Sequence, residues 1–179
     1  MMIRRSLPVL ALVMLLVGCA SPTPNRDPSG EVFPSVRGES LEGQKVQIPE
    51  DWAGKPTVVL VGYKQRAQFD ADRWLYGLLQ AETPVALYEV PTIKGLFPRM
   101  LAGTIDEGMR GGIPSEDWQS VVTVYGDASK IVRFTGNTRG QNIRVLLLDA
   151  EGKVRWFHDR GFSAGKMLEL DRAARELGR

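Results

Sequence analysis

The stretch Pro56-Thr57-Val58-Val59-Leu60-Val61-Gly62-Tyr63-Lys64-Gln65-Arg66 decides the fold. Residues 57–62 are an unbroken, mostly β-branched run bounded by proline and glycine. Such a run reads as a central strand buried on both faces. The residues that follow, Tyr63 to Arg66, are largely polar and form a loop. Beyond them Ala71, Trp74, Leu75 and Leu78 recur at i, i+3, i+4 and i+7. That spacing predicts a helix over roughly 67–79 with one apolar face.

Val85-Ala86-Leu87-Tyr88-Glu89-Val90, closed by Pro91, reads as the next strand. A strand–helix–strand unit implies parallel pairing with a right-handed crossover. Residues 95–110 carry Phe97, Leu101, Ile105 and Met109 at spacings of four, which predicts an amphipathic helix with Pro98 in its first turn. Ser120–Tyr125 is a further strand. Ile143–Asp149 and Val154–His158 flank a turn and form a hairpin. Ser163 is placed to cap a last helix reaching about Leu177, with Met167, Leu170, Ala174 and Leu177 inward. Val46-Gln47-Ile48 is a small strand before the central one. The order is that of an α/β, thioredoxin-like sandwich: a central mixed sheet with helices on both faces and a C-terminal β-hairpin plus helix.

The N-terminus carries a different kind of information. Arg4-Arg5, the apolar run Leu7–Val17 and the sequence Leu16-Val17-Gly18-Cys19 have the layout of a secretory signal. A cysteine directly after the small residue resembles a bacterial lipobox, in which that cysteine becomes the lipid-bearing first residue. The apolar run is eleven residues long, too short to span a bilayer, which takes roughly 20. The chain therefore divides into a signal peptide over 1–18, a lipidated disordered tether over 19–31 and one folded domain over 32–179. Three prolines and few apolar side chains mark residues 20–31 as the tether. The expected location is the cell envelope. Ala20 and Ser21 follow the cysteine with no Asp at the second position, which favours the outer membrane facing the periplasm in a Gram-negative cell.

Removing residues 1–18 takes away Arg4 and Arg5 and no acid, leaving 21 basic against 21 acidic side chains. A body near neutrality has no global electrostatic footprint for nucleic acid. Cys19 is the only cysteine, so no disulfide forms within the chain and the core must rest on packing.

Several blocks share an order with a known family. They are Phe33-Pro34, Gly43-Gln44-Lys45-Val46, the run Val58 to Gln68, Trp74-Leu75, Tyr88-Glu89-Val90-Pro91, and Val145–Asp149 followed by Gly152 and Val154-Arg155-Trp156. Together, over roughly residues 33–165, they resemble the mitochondrial ATPase assembly factor (Atp ten) family. The resemblance implies a thioredoxin-like fold and a non-redox role in assembling a membrane complex. The lipoprotein signal departs from that family's mitochondrial setting, so no client carries over.

Thioredoxin-like enzymes place their thiol pair after the first central strand, where the helix dipole lowers a thiol's pKa. Here that place holds Tyr63-Lys64-Gln65-Arg66-Ala67-Gln68. Thiol oxidoreductase, peroxiredoxin and thiolate copper-carrier chemistry are excluded by residue type. Gln141-Asn142-Ile143-Arg144 also lacks the proline that thioredoxins keep in cis before the hairpin. The candidate contact surface for a partner or anion is Tyr63, Lys64, Gln65, Arg66 and Gln68, with Arg139 and Arg144 nearby. No cofactor or metal is expected. His158, the lone histidine, has only Asp159 beside it, and adjacent strand residues point to opposite faces. Met100 and Met109 read as core packing, and Trp52, Trp74, Trp118 and Trp156 as core anchors with room for one surface contact among them. The leading reading is a non-redox binding or assembly module for an envelope protein complex. A non-thiol enzyme using Tyr63, His158 or Asp159, and a small-ligand or metal carrier, are the alternatives.

Overall fold

The computed structural model describes residues 22–179; the signal segment and Cys19 lie outside them. Two sheets form. The larger runs β4 (Ala86–Pro91), β3 (Thr57–Gly62), β6 (Arg144–Leu148), β7 (Val154–His158) in spatial order. β3 pairs in parallel with β4 and antiparallel with β6, and β6–β7 is the expected hairpin. The smaller sheet is β2 (Lys45–Ile48), β1 (Val36–Ser40), β5 (Val122–Thr123). Parallel bridges from Glu89 to Val121 and from Thr92 to Val124 join the edge of β4 to the β5 segment.

Strand alternation divides the core into two layers. Val58 and Leu60 of β3, with Val145 and Leu147 of β6, face α1 (Gln68–Gln80) and α5 (Ala164–Leu177). Trp74 is fully buried there, edge-on to Trp156 and Phe162. Val59, Val61, Leu146 and Leu148 face the other way, against α4 (Ala128–Thr135), Phe33 and β1–β2. Helices thus cover both faces, as the element order predicts.

Four expectations need correction. The helix predicted over 95–110 breaks at Leu101 into α2 (Leu96–Met100) and α3 (Ala102–Arg110). Met100 is 75% exposed, so it does not pack in the core. Ser163 takes the N-cap position of α5 but its hydroxyl makes no capping bond. The fourth concerns the tether. Its described part, from Thr23 onward, is laid against the domain by a ladder of bonds. Asn137 and Thr138 donate their amides to Thr23 O at 2.9 and 3.1 Å. Arg26 N donates to Thr135 O, Gly30 N to Val154 O and Val154 N to Glu31 O. Pro28 is buried.

Helix α4 has no counterpart among the sequence expectations, although Ala128, Ile131, Val132 and Phe134 repeat at helical spacing and are buried. Among the described residues no helix is long and apolar enough to cross a membrane.

Candidate functional site

The C-terminal end of β3 and the start of β6 lie side by side, Val61 opposite Arg144. Strand alternation turns Tyr63 and Arg144 toward the α4 layer, since they continue the faces of Val61 and Leu146. The two meet there. The Arg144 guanidinium carbon stands 5.2 Å from the Tyr63 ring centroid. The Tyr63 hydroxyl lies 2.6 Å from Thr135 Oγ1 and donates to Ile131 O at 3.3 Å.

Arg144 is not a surface cation. It is 0% exposed. Its Nη1 donates to Asn142 O at 2.7 Å and Arg139 O at 3.2 Å; its Nη2 donates to Thr138 O at 2.6 Å and Asn25 Oδ1 at 2.7 Å. All four acceptors are neutral, and Nε has no partner. Asn25 in turn donates to Asp159 Oδ2 at 2.7 Å, placing one carboxylate a residue away from the cation. Burial pushes the guanidinium below its ordinary range, against the opposing pull of Tyr63 and Asp159. The planar fork holds the 138–142 loop and the N-terminal segment at once, which a lysine's single ammonium could not do with the same geometry.

Burial pushes the Tyr63 phenol up to about 12, outweighing the Thr135 hydrogen bond and the Arg144 charge. The phenol is therefore neutral at ordinary pH and no general base. An unfolded phenol titrates near ~10. Between the two values the unfolded chain loses a proton that the native one keeps. This part of the stability is intact below the lower value and is lost as pH rises toward the upper one. Tyr63→Phe is expected to cost about 1 kcal/mol at neutral pH and to make the alkaline loss shallower. Urea denaturation near neutral pH and in the alkaline window checks both.

Around this buried centre Lys64, Gln65, Arg66 and Gln68 are exposed at the head of α1. Gln68 Nε2 donates to Asp72 Oδ1 at 3.0 Å and to Glu89 Oε2 at 3.4 Å. Arg139 is exposed in the neighbouring loop, and the Lys64 side chain runs beside Gly140. Asp70, in the first turn of α1, accepts from Ile143 N at 2.9 Å and Phe162 N at 2.7 Å. Its carboxylate complements the helix dipole and fixes both flanking loops. Of the predicted site residues, then, Lys64, Gln65, Arg66, Gln68 and Arg139 form the exposed end. Tyr63 and Arg144 form its support. Asn25 and Thr135 join them from outside the predicted set; Asn25 sits in a proline-rich segment whose composition carries no signal for a packed role.

His158 belongs to the opposite layer. Its ring lies 5.7 Å from Trp74 and 5.9 Å from Trp156, with Nε2 2.9 Å from Gly161 O. Tyr63 and His158 thus point to separate faces of the sheet, and an acid–base pair of the two does not form.

No family model matches the chain, and no curated protein matches it. Solved structures do. A SCO1/SenC family lipoprotein from Bacillus anthracis superposes with a TM-score of 0.60 at 12% identity, covering 87% of this chain and 100% of that one. The fold is thioredoxin-like. The thioredoxin domain of a thiol-disulfide oxidoreductase from Bacteroides vulgatus gives 0.53 at 17%, covering 84% and 98%. Arabidopsis thaliana ScoI with copper bound gives 0.52 at 10%, covering 81% and 99%. These neighbours overturn the resemblance to the ATPase assembly factor family. The short blocks that carried it follow strand and loop positions of the thioredoxin-like fold itself, which many unrelated sequences occupy.

Copper in one neighbour raises the question of a metal here. Among the described residues no three of His, Cys, Asp and Glu come together as a ligand set. The loop that heads α1 offers Lys64 and Arg66, which are cations, and amide Gln65. Soft thiolate or imidazole donors, the usual choice for copper, are lacking at this end. The residues do not fit the ion.

Proposed function

We propose that the protein is a lipid-anchored module of the cell envelope whose thioredoxin-like domain binds a partner and performs no thiol chemistry. One observation supports this reading above others. The place of the thiol pair is taken by exposed Lys64, Gln65, Arg66 and Gln68, resting on half-buried Tyr63 and on buried Thr135 and Arg144. A rigid base under an exposed polar loop is what a recognition surface needs. Lipidation at Cys19 would keep the body on the membrane, since each buried methylene of a chain adds ~0.8 kcal/mol.

The test is crosslinking from this loop in native membranes with identification of whatever is recovered, protein or lipid. The triple change Lys64→Ala, Gln65→Ala, Arg66→Ala is expected to lose the specific partner while the melting temperature stays within about 2 °C of wild type, as surface changes do. Recovery of the same partners by both proteins would sink this reading.

A second reading, a small-ligand or metal carrier of the envelope, draws on the likeness to the SCO1/SenC family lipoprotein and to copper-bound ScoI. Native mass spectrometry and metal analysis of protein purified from membranes decide it. A bound mass or stoichiometric metal favours the carrier; a clean apo mass favours the binding module.

A further inference from the structure

The N-terminal segment is fastened at a particular place. Thr23 is bonded through both backbone groups to Asn137 and Thr138, at the same end of the domain as Lys64, Arg66 and Arg139. Only four residue steps separate Thr23 from Cys19. Fully extended, they reach at most about 14 Å. A lipid on Cys19 therefore holds this end, and not some other face, close to the bilayer.

The fully exposed charges at the same end are all positive. Lys64, Arg66, Arg139 and, just past β7, Arg160 are exposed. The acids beside them are less exposed and engaged within the fold: Asp70 by the Ile143 and Phe162 amides, Asp159 by Asn25, and Asp72 and Glu89 by the Gln68 amide. Phe69, next to this cluster in the first turn of α1, is 73% exposed. The opposite end, around the β6–β7 turn and the start of β3, mixes signs: Glu50, Asp51, Glu82 and Glu151 are exposed with Lys55 and Arg175. Cations with an exposed aromatic ring beside a lipid attachment point are the makings of contact with anionic headgroups.

We propose that the end of the domain bearing Lys64, Arg66, Phe69, Arg139 and Arg160 lies against an anionic membrane surface, oriented there by the short run between Cys19 and Thr23. This rests on the reading of Cys19 as a lipidated residue and of this end as the contact surface. It names the contact as phospholipid headgroups. Electrostatic attraction decays over a Debye length of about 8 Å in physiological salt, so only a surface held this close would feel it strongly.

The full chain, expressed with its signal, is extracted and reconstituted in vesicles of phosphatidylethanolamine and phosphatidylglycerol. A blocked Cys19 leaves each variant one reactive thiol: Gln65→Cys at the proposed membrane end, or Glu151→Cys at the other. The ends are about 20 Å apart along the six residues of β3. A fluorophore at position 65 should be quenched by headgroup-attached nitroxide at least about twofold more than one at 151, because nitroxide quenching needs near contact and the other end stands a strand's length away. Changing Lys64, Arg66, Arg139 and Arg160 to alanine, or replacing phosphatidylglycerol by phosphatidylcholine, removes the attraction of basic side chains to anionic lipid and should cut that contrast about twofold. Labelling of wild type at Cys19 would refute the anchor, and the proposal with it. With Cys19 blocked, equal or reversed quenching would overturn the orientation while leaving the anchor standing. A contrast indifferent to both charge changes would overturn the anionic surface. Crosslinks from position 65 to a single protein in native envelopes, with weak quenching in vesicles, would assign this end to a protein partner instead.

Discussion

Replacing Arg144 by methionine is expected to lower stability by about 3 kcal/mol, moving the melting temperature down by roughly 6–12 °C for a chain of this size. The reason lies in what the guanidinium leaves behind. Thr138 O, Asn142 O, Arg139 O and Asn25 Oδ1, all partly buried, lose a donor at once. Each orphaned acceptor costs about 1–3 kcal/mol when no water replaces the donor. Relaxation of the 138–142 loop and entry of water recover part of that. Working in the opposite direction is the desolvation of a cation with no carboxylate in direct contact, which the variant removes. The two terms make the sign informative. Thermal and urea denaturation of Arg144→Met and Arg144→Lys decide it. Loss in both, smaller for lysine, is expected from a clamp that needs the planar fork. A methionine variant as stable as wild type would mean that desolvation cancels the bonds. The arginine would then not be what holds the loop and the N-terminal segment together.

Gly136→Ala is expected to release the N-terminal segment. Gly136 has φ +71° and ψ 166°, a region that side-chain-bearing residues avoid at about 1–3 kcal/mol. A Cβ there would also run into Pro24 O and Asn25 Cα, both backbone atoms. The helix end cannot yield easily, because Thr135 is buried and bonded to Tyr63. The segment can, since Thr23 to Arg26 hold on by a few hydrogen bonds. Trypsin cleavage after Arg26 should therefore speed up about tenfold, the factor that follows from ~1.4 kcal/mol of easier opening. The melting temperature should fall by several degrees. Cleavage at the wild-type rate with unchanged melting would show that the segment does not sit on Gly136. This variant also loosens the orienting run, so in vesicles it should blur the difference between positions 65 and 151.

The two variants probe one unit from opposite sides. Arg144 reaches from the sheet to Asn25, and Gly136 makes room for the chain that carries Asn25. A double variant is therefore not expected to show the sum of the single losses, because the second change acts on a contact that the first has already broken.

Much of the fold was legible because local pattern and global layer agree. Residues 58–61 are apolar without a break, since both faces of the strand are covered, and that continuity is visible without neighbours. Trp74, Leu78, Leu170 and Ala174 announce their faces by spacing and are buried where the spacing puts them. Helix α4 is equally periodic at Ala128, Ile131, Val132 and Phe134, but at eight residues between turns its pattern is too short to stand out from loop. Residues 95–110 misled in the other direction. Their spacing is helical, yet the chain turns at Leu101 and leaves Leu96 and Met100 exposed. Periodicity alone does not tell whether a neighbour exists to cover the stripe.

The sequence by itself determined the chemistry that is excluded. With Cys19 the only cysteine, no thiol pair can stand at the head of α1, whatever the fold. It also determined the order of strands and helices that makes the sheet. What only the tertiary structure decided is where polar side chains end up. Arg144 reads as one more surface arginine until β6 is set beside β3, and then alternation and register turn it inward beneath a segment 119 positions away in sequence. Asn25 reads as linker until Gly136 gives it a place to lie. Burial of a polar group depends on acceptors from distant parts of the chain, and no local pattern encodes those.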